Sequence, residues 1–354
     1  MELAVIGLSL LALHFGEPVS YYLTLRGNQP SRAKTHSLPF VSIIIPTYNE
    51  RGRIQGKLRN VMAMYPNDRM EVIVVDSSDD GTYSEVNQVD LPNLRLIREP
   101  KRRGKVLAVR DAMRTARGEV IVITDADALW LDRLENAVGI LQGEIGAVSC
   151  VKYPNRGEEE NSYRDFYNRV RLKESSLFST PVFNGEMVAF RRELISPEEL
   201  PMAGADDSAI ATYIAMKGFR AICVPDFRVV EEVPLTRRDY MSWKVRRGAH
   251  LVRHFVRNFW KVVRCCPTSF KFIFTQETFL HTVEPWLLVS GLVLVALGDP
   301  YLFLSLAGAA SLLLLWRRTR KMVEAWVPNQ VFLIASQFYG IRGERMIWRK
   351  ERKE

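Results

Sequence analysis

Between residues 41 and 124 the chain repeats one pattern. A short, unbroken run of Val, Ile or Leu is followed by a polar break and then an amphipathic stretch. The apolar runs fall at 41–46, 71–75, 94–97 and 120–124, and helical spacing is clearest at 54–64 and 105–115. A strand with one wet face alternates apolar and polar side chains, whereas a strand covered on both faces reads as continuous. The pattern predicts an α/β domain with a mostly parallel sheet and helices on both faces. Ligands of such sheets bind beyond the carboxyl ends of the strands, and the polar clusters of this chain begin there.

Outside that region the apolar residues collect at the two ends. Residues 3–13 are almost wholly apolar, and 279–298 and 301–316 form two further runs joined by Gly298-Asp299-Pro300. Glu2 precedes the first run, and Arg26, Arg32 and Lys34 follow it. This order suits a retained anchor with its N-terminus outside better than a cleaved leader. The expected organisation is an N-terminal transmembrane helix at 1–27, a polar linker at 28–40 and a catalytic α/β domain at 41–236. Basic amphipathic interface helices follow at 237–278, then a two-helix transmembrane hairpin at 279–316. Residues 317–354 are expected as a basic cytoplasmic tail with an interfacial or re-entrant helix at 323–341. Each hairpin segment is near the lower limit of roughly 17 residues for a spanning helix.

The formal net charge is +9, and its distribution is informative. Basic residues cluster at 240–264, 317–321 and 345–353, beside apolar segments. That placement fits anionic lipid on the cytoplasmic side. No nucleic-acid reading module appears, so no nucleic-acid partner is expected. Cys150, Cys223, Cys265 and Cys266 lack metal-ligand spacing and read as reduced thiols in a cytosol-facing protein.

Several strand ends carry chemistry. Asp125-Ala-Asp127 follows the run 120–124. Alternate carboxylates at a sheet edge can hold Mg²⁺ or Mn²⁺, hard ions that bridge protein to phosphate; an isolated pair is more often a solvated turn. Lys101-Arg-Arg-Gly-Lys105 sets cations and a glycine before the helical pattern 105–115, as suits a diphosphate at a helix N-terminus. Asp206-Asp207 opens a further helical pattern. Neighbouring carboxylates there can cap a helix or raise one pKa toward a useful value for a base.

Taken in order, Pro46-Thr-Tyr-Asn-Glu50, Asp76 with Asp79-Asp80-Gly81, Gly104-Lys105, Thr124-Asp-Ala-Asp127, Asn184-Gly-Glu-Met-Val-Ala-Phe190 and Asp206-Asp207 resemble glycosyltransferase family 2 over about residues 41–247. The resemblance implies the GT-A Rossmann-like fold and inverting transfer from a nucleotide-diphosphate sugar, a UDP- or GDP-hexose. It implies Asp127 as direct metal ligand, with Asp125 facing the ribose or the ion's water. Pro46, Tyr48, Glu50, Asp76 and Lys105 are then donor-binding residues, with Asp76 on the nucleobase. Asp207 becomes the catalytic base, and Asn184, Gly185, Glu186 and Asp206 form the acceptor side. Membrane-bound processive members carry a Gln/Arg-x-x-Arg-Trp motif, matched here by Trp243-Lys-Val-Arg246-Arg247. Arg246 is expected on the diphosphate, and Arg247 stands where a Trp would offer an aromatic platform. The expected acceptor is a lipid-linked or glycan acceptor at the cytoplasmic membrane face, with transfer onto polyprenyl phosphate or a non-catalytic membrane scaffold as competing readings.

Overall fold

The computed structural model describes residues 1–27, 37–201 and 205–339. Most of the expected linker and all of the basic cluster at 345–353 lie outside these residues. The chain opens with helix α1 (Glu2–Thr24) and enters the α/β domain at strand β1 (Val41–Thr47). There follow α2 (Ile54–Met64), β2 (Met70–Asp76), α3 (Thr82–Asn87), β3 (Leu94–Arg98), α4 (Lys105–Thr115) and β4 (Val120–Ile123). The second half runs β5 (Ala128–Trp130), α5 (Glu135–Val138), β6 (Ile145–Pro154), α6 (Glu158–Leu177), β7 (Val188–Arg191), α7 (Asp206–Met216) and β8 (Arg220–Glu231). Five helices complete the described residues: α8 (Arg237–Cys265), α9 (Thr268–Thr282), α10 (Glu284–Gly298), α11 (Pro300–Leu313) and α12 (Arg317–Phe338).

One eight-stranded sheet orders its strands β3-β2-β1-β4-β7-β6-β8-β5. The first four are parallel to one another, as the unbroken apolar runs predict. Successive side chains of β1 bury on opposite faces. Ile43 and Ile45 join the core beneath α2, and Ile44 joins the core beneath α4 and α7. The other half is mixed, with β7 antiparallel to β4 and β6, and β5 antiparallel to β8. The sheet is thus parallel only in part: β7 enters antiparallel after the connection that carries α6, and β5, just beyond β4, pairs antiparallel with the distant β8.

Helix α1 is the one helix among the described residues that is long and apolar enough to cross a bilayer by itself. It packs antiparallel on α10, where a Cβ on Gly7 would lie 2.7 Å from the Gly291 carbonyl oxygen and 2.7 Å from the Val295 nitrogen. Two small residues therefore set how closely these helices approach. The run expected to begin a hairpin at 279 is divided differently. Residues 279–282 finish α9, and α10 restarts at Glu284 after a 45° bend. Pro285 in the first turn of α10 accounts for the break, since it has no N–H to continue the ladder. Asp299 caps α11 by accepting from Leu302 N at 2.9 Å. Residues 317–322, expected as tail, are the first turns of the continuous helix α12.

Helix α8 is capped by Thr236, whose hydroxyl accepts from Asp239 N. Of the aromatic residues on this expected interface helix, Trp243 and Phe255 turn inward, Phe255 against Phe270 and Phe274 of α9. Val256 and Trp260 stay outside.

Candidate active site

A cleft of about 370 Å³ opens where β1 and β4 end and is closed from the far side by α6, α8 and α12. Pro46, Tyr48, Glu50, Lys105, Asp125, Asp127, Asn184, Gly185, Asp206, Asp207 and Arg246 all line it. Local backbone explains part of this convergence. Asn49 holds φ +58°, a left-handed conformation that Asn tolerates better than most residues. Its backbone N–H donates to Ser78 Oγ at 2.7 Å and its side-chain oxygen accepts from Asp79 N. The loop after β1 is so tied to the loop after β2. Gly104, at φ +101°, turns the basic loop into α4 and presents Lys105.

Lys105 Nζ donates to Asp125 Oδ1 at 2.7 Å and lies 3.9 Å from Asp206 Oδ2. Burial alone would lower this lysine, but Asp125, Asp206 and Asp207 outweigh it and hold its pKa above the ordinary value. Asp125 is pushed up by burial and by Asp127, against the pull of Lys105. Burial and the neighbouring Asp206 raise Asp207 from 3.8 to about 6, with Lys105 opposing. Neither aspartate is the N-cap of α7, a position held by Ala205. Both lie in its first turn, where Asp207 Oδ1 accepts from Ser208 N at 2.7 Å. A Cβ on Gly185 would sit 2.9 Å from Asp207 Oδ2 and 3.4 Å from Lys105 Nζ. The absent side chain leaves the space in front of both groups.

Two expected contacts do not reach the cleft. Asp76 is fully buried at the end of β2 and does not line it. Its Oδ1 accepts from Thr47 and Ser78 and its Oδ2 from Arg98 at 2.6 Å, so the carboxylate ties the joint between strand ends. Glu186 is 1 % exposed. Its Oε1 accepts from Lys152 at 2.8 Å and from Arg247 at 2.7 Å, so two cations stand where an acceptor hydroxyl was expected. Arg247 also binds Glu231, which takes Arg164 at 3.2 Å. The residue standing for the motif's Trp thus joins Lys152 and Arg164 in an ion cluster around the buried Glu186 and Glu231.

Other lining residues carry no motif. The Arg102 guanidinium stacks over the Tyr48 ring at 3.7 Å. Tyr163, Tyr167 and Arg171 line the cleft from α6; their spacing of four is the one signal in the sequence that could have placed them on a single face. Lys244 reaches Glu160 at 2.6 Å and lies over the Tyr163 ring, and burial lowers it to about 7. Asn329, Phe332 and Ser336 of α12 close the far wall.

Among the described residues no three His, Cys, Asp or Glu converge to cage an ion. A pair of hard carboxylates fits Mg²⁺ or Mn²⁺ nonetheless, because such ions are commonly held by one or two carboxylates plus substrate phosphates and water. Asp125 and Asp127 face the cleft beside Lys105, with room for a diphosphate.

Comparison with known proteins agrees with this geometry. The model of the family described as Glycosyl transferase family 2 matches residues 42–197. A solved mannosyltransferase of Pyrobaculum calidifontis, in complex with GDP-Man and Mn²⁺, is 40 % identical. Its TM-score is 0.82, and the match covers 95 % of this chain and 99 % of that one. Glycosyltransferase AglE of Haloferax volcanii is 34 % identical over 153 residues, 40 % of this chain and 49 % of that protein. A beta-monoglucosyldiacylglycerol synthase of Trichormus variabilis is 30 % identical over 181 residues, 49 % of this chain and 36 % of that protein. The chain spans half or less of the length of these two curated relatives.

Proposed function

The chain belongs to glycosyltransferase family 2, and on that premise we propose that it transfers a hexosyl group, with inversion, from a nucleotide-diphosphate sugar to a lipid-linked or glycan acceptor at the cytoplasmic face of a membrane. GDP-mannose is the donor to test first, given the Pyrobaculum calidifontis mannosyltransferase, and Mg²⁺ or Mn²⁺ is the ion. The observation that carries this reading is the meeting of Asp125, Asp127, Lys105 and the Asp206-Asp207 pair around one cleft at the strand ends.

In this reading Asp127 and Asp125 hold the ion, which supplies charge neutralisation to the departing diphosphate. Lys105 beside Asp125 and Arg246 from the α8 wall add cations to the cleft. Tyr48 and Arg102 border the space for the nucleoside. Asp207 accepts the acceptor hydroxyl proton at one carboxylate oxygen as the anomeric carbon is attacked from the opposite face. Gly185 keeps the approach to that oxygen open. The acceptor reaches the cleft along α8 and α12, whose residues wall its far end. Helix α1 with the α10–α11 pair anchors the catalytic domain, and the exposed Val256 and Trp260 of α8 meet the lipid interface.

The test is nucleotide release from a panel of GDP- and UDP-sugars by protein in lipid with Mn²⁺ or Mg²⁺, with lipid and glycan acceptors added in turn. Wild type, Asp127→Ala and Asp207→Asn are run together. Turnover of one donor, lost in both variants, is the expected result. Failure of every donor to bind with metal present would leave a non-catalytic scaffold as the reading.

A further inference from the structure

Lys57 has no part in the chemistry above, yet the fold buries it directly against the acidic turn. It is 1 % exposed and sits one turn into α2. Its Nζ donates to Thr124 Oγ1 at 2.8 Å and to the Ala128 carbonyl at 2.6 Å, and lies 4.6 Å from the Trp130 ring centroid. An ammonium has three donors, and these three neighbours account for them. Among the described residues it makes no ion pair, and the carboxylates that act on it are Asp125 and Asp127.

Its two hydrogen-bond partners bracket Asp125-Ala-Asp127, one before the segment and one after it. Thr124 is also a junction. Its hydroxyl accepts from Trp130 Nε1 at 3.2 Å and donates to the Glu186 carbonyl at 2.7 Å, joining the end of β4 to β5 and to the 184–187 segment. A buried amine costs free energy in an apolar site. A core that needed only volume at this position would be served by Leu or Met.

We propose that Lys57 is a positioning residue that clamps both ends of the Asp125–Asp127 turn and so sets its affinity for the divalent ion. The inference rests on the metal reading given under the proposed function. Lys57 touches neither ion nor substrate, and acts by fixing the backbone from which the two carboxylates project. Burial draws Lys57 down to about 7 while Asp125 and Asp127 oppose it; a neutral amine keeps two N–H donors, so both clamp bonds persist in either protonation state. Groups that hold metal ligands from behind are worth about 10–100-fold in metal affinity.

The experiment measures Mn²⁺ binding by loss of the free-ion electron paramagnetic resonance signal, using the full chain in detergent, with and without GDP. Wild type is compared with Lys57→Met, which keeps the volume and removes both donors. We expect the Mn²⁺ Kd to weaken about tenfold or more while Tm stays level or rises, since an apolar side chain removes the cost of burying an amine. A lowered Tm with unchanged Kd would mean a structural role alone and would overturn the proposal. A tighter Kd would overturn it too, because repulsion between Lys57 and the ion would then outweigh the clamp. Should Lys57→Met fail to fold, Thr124→Val removes the other end of one clamp bond and is expected to weaken Kd in the same direction, with Thr124→Ser nearer wild type. Absence of Mn²⁺ binding in wild type, even with GDP, would defeat the metal reading itself and this inference with it.

Discussion

Asp207 offers a prediction in which stability and activity move in opposite directions. Asp207→Asn keeps the shape and the acceptor oxygen for Ser208 N, but it removes the charge that burial and Asp206 disfavour. A carboxyl raised from 3.8 to about 6 is held protonated more readily in the folded chain than in the unfolded one. Its contribution to stability is therefore fully present below about pH 4 and is lost as pH rises to about 6. At about 1.4 kcal/mol per pH unit, the ionised group costs the fold about 3 kcal/mol above that window. The asparagine variant escapes this cost. In metal-free buffer its Tm should match wild type near pH 4 and exceed it at pH 7.5. For a domain of about 200 residues, 1 kcal/mol is worth roughly 2–4 °C, so the expected gain is about 6–12 °C. Nucleotide release should meanwhile fall about 10²–10⁴-fold, the usual contribution of a general base. Wild-type kcat/KM should rise about tenfold per pH unit below 6 and level off above it. Differential scanning fluorimetry at the two pH values and a coupled release assay check both halves. An asparagine variant no more stable than wild type at pH 7.5, or one losing less than tenfold activity, would refute the reasoning.

Three further expectations concern packing. Arg247→Trp, which would restore the final Trp of the Gln/Arg-x-x-Arg-Trp pattern, should lower stability by about 1–3 kcal/mol, because it strips one of the cations shared by the buried Glu186 and Glu231 while Lys152 stays on both; Arg247→Trp with Glu186→Leu should recover part of that loss in the same melting assay. Gly185→Ala brings a methyl within 2.9 Å of Asp207 Oδ2, so kcat should drop about tenfold or more while Tm stays within a few degrees. Gly7→Leu forces α1 from α10, where backbone atoms lie 2.7 Å from any added Cβ; a loss of more than 2 kcal/mol is expected, read as earlier thermal aggregation of detergent-solubilised protein.

What the sequence determined by itself is what local periodicity and residue chemistry encode. Helices at 54–64 and 105–115 and the four parallel strands were legible because burial on one face or on both leaves a repeat of fixed length in the chain. The carboxylates after β4 and at the head of α7 were legible as well, since a strand or helix end needs no partner to be recognised. The tertiary structure decided everything that depends on who faces whom. Glu186 and Arg247 lie 61 residues apart, and nothing in either neighbourhood announces that they pair with each other beside the cleft. Asp76 reads as a free carboxylate until Thr47, Ser78 and Arg98 close around it. The mixed half of the sheet, the inward turn of Trp243 and Phe255, and the wall built by α6 and α12 have the same origin. A pattern along one chain records that a face is covered, while the partner that covers it is chosen only when distant segments compete for the same surface.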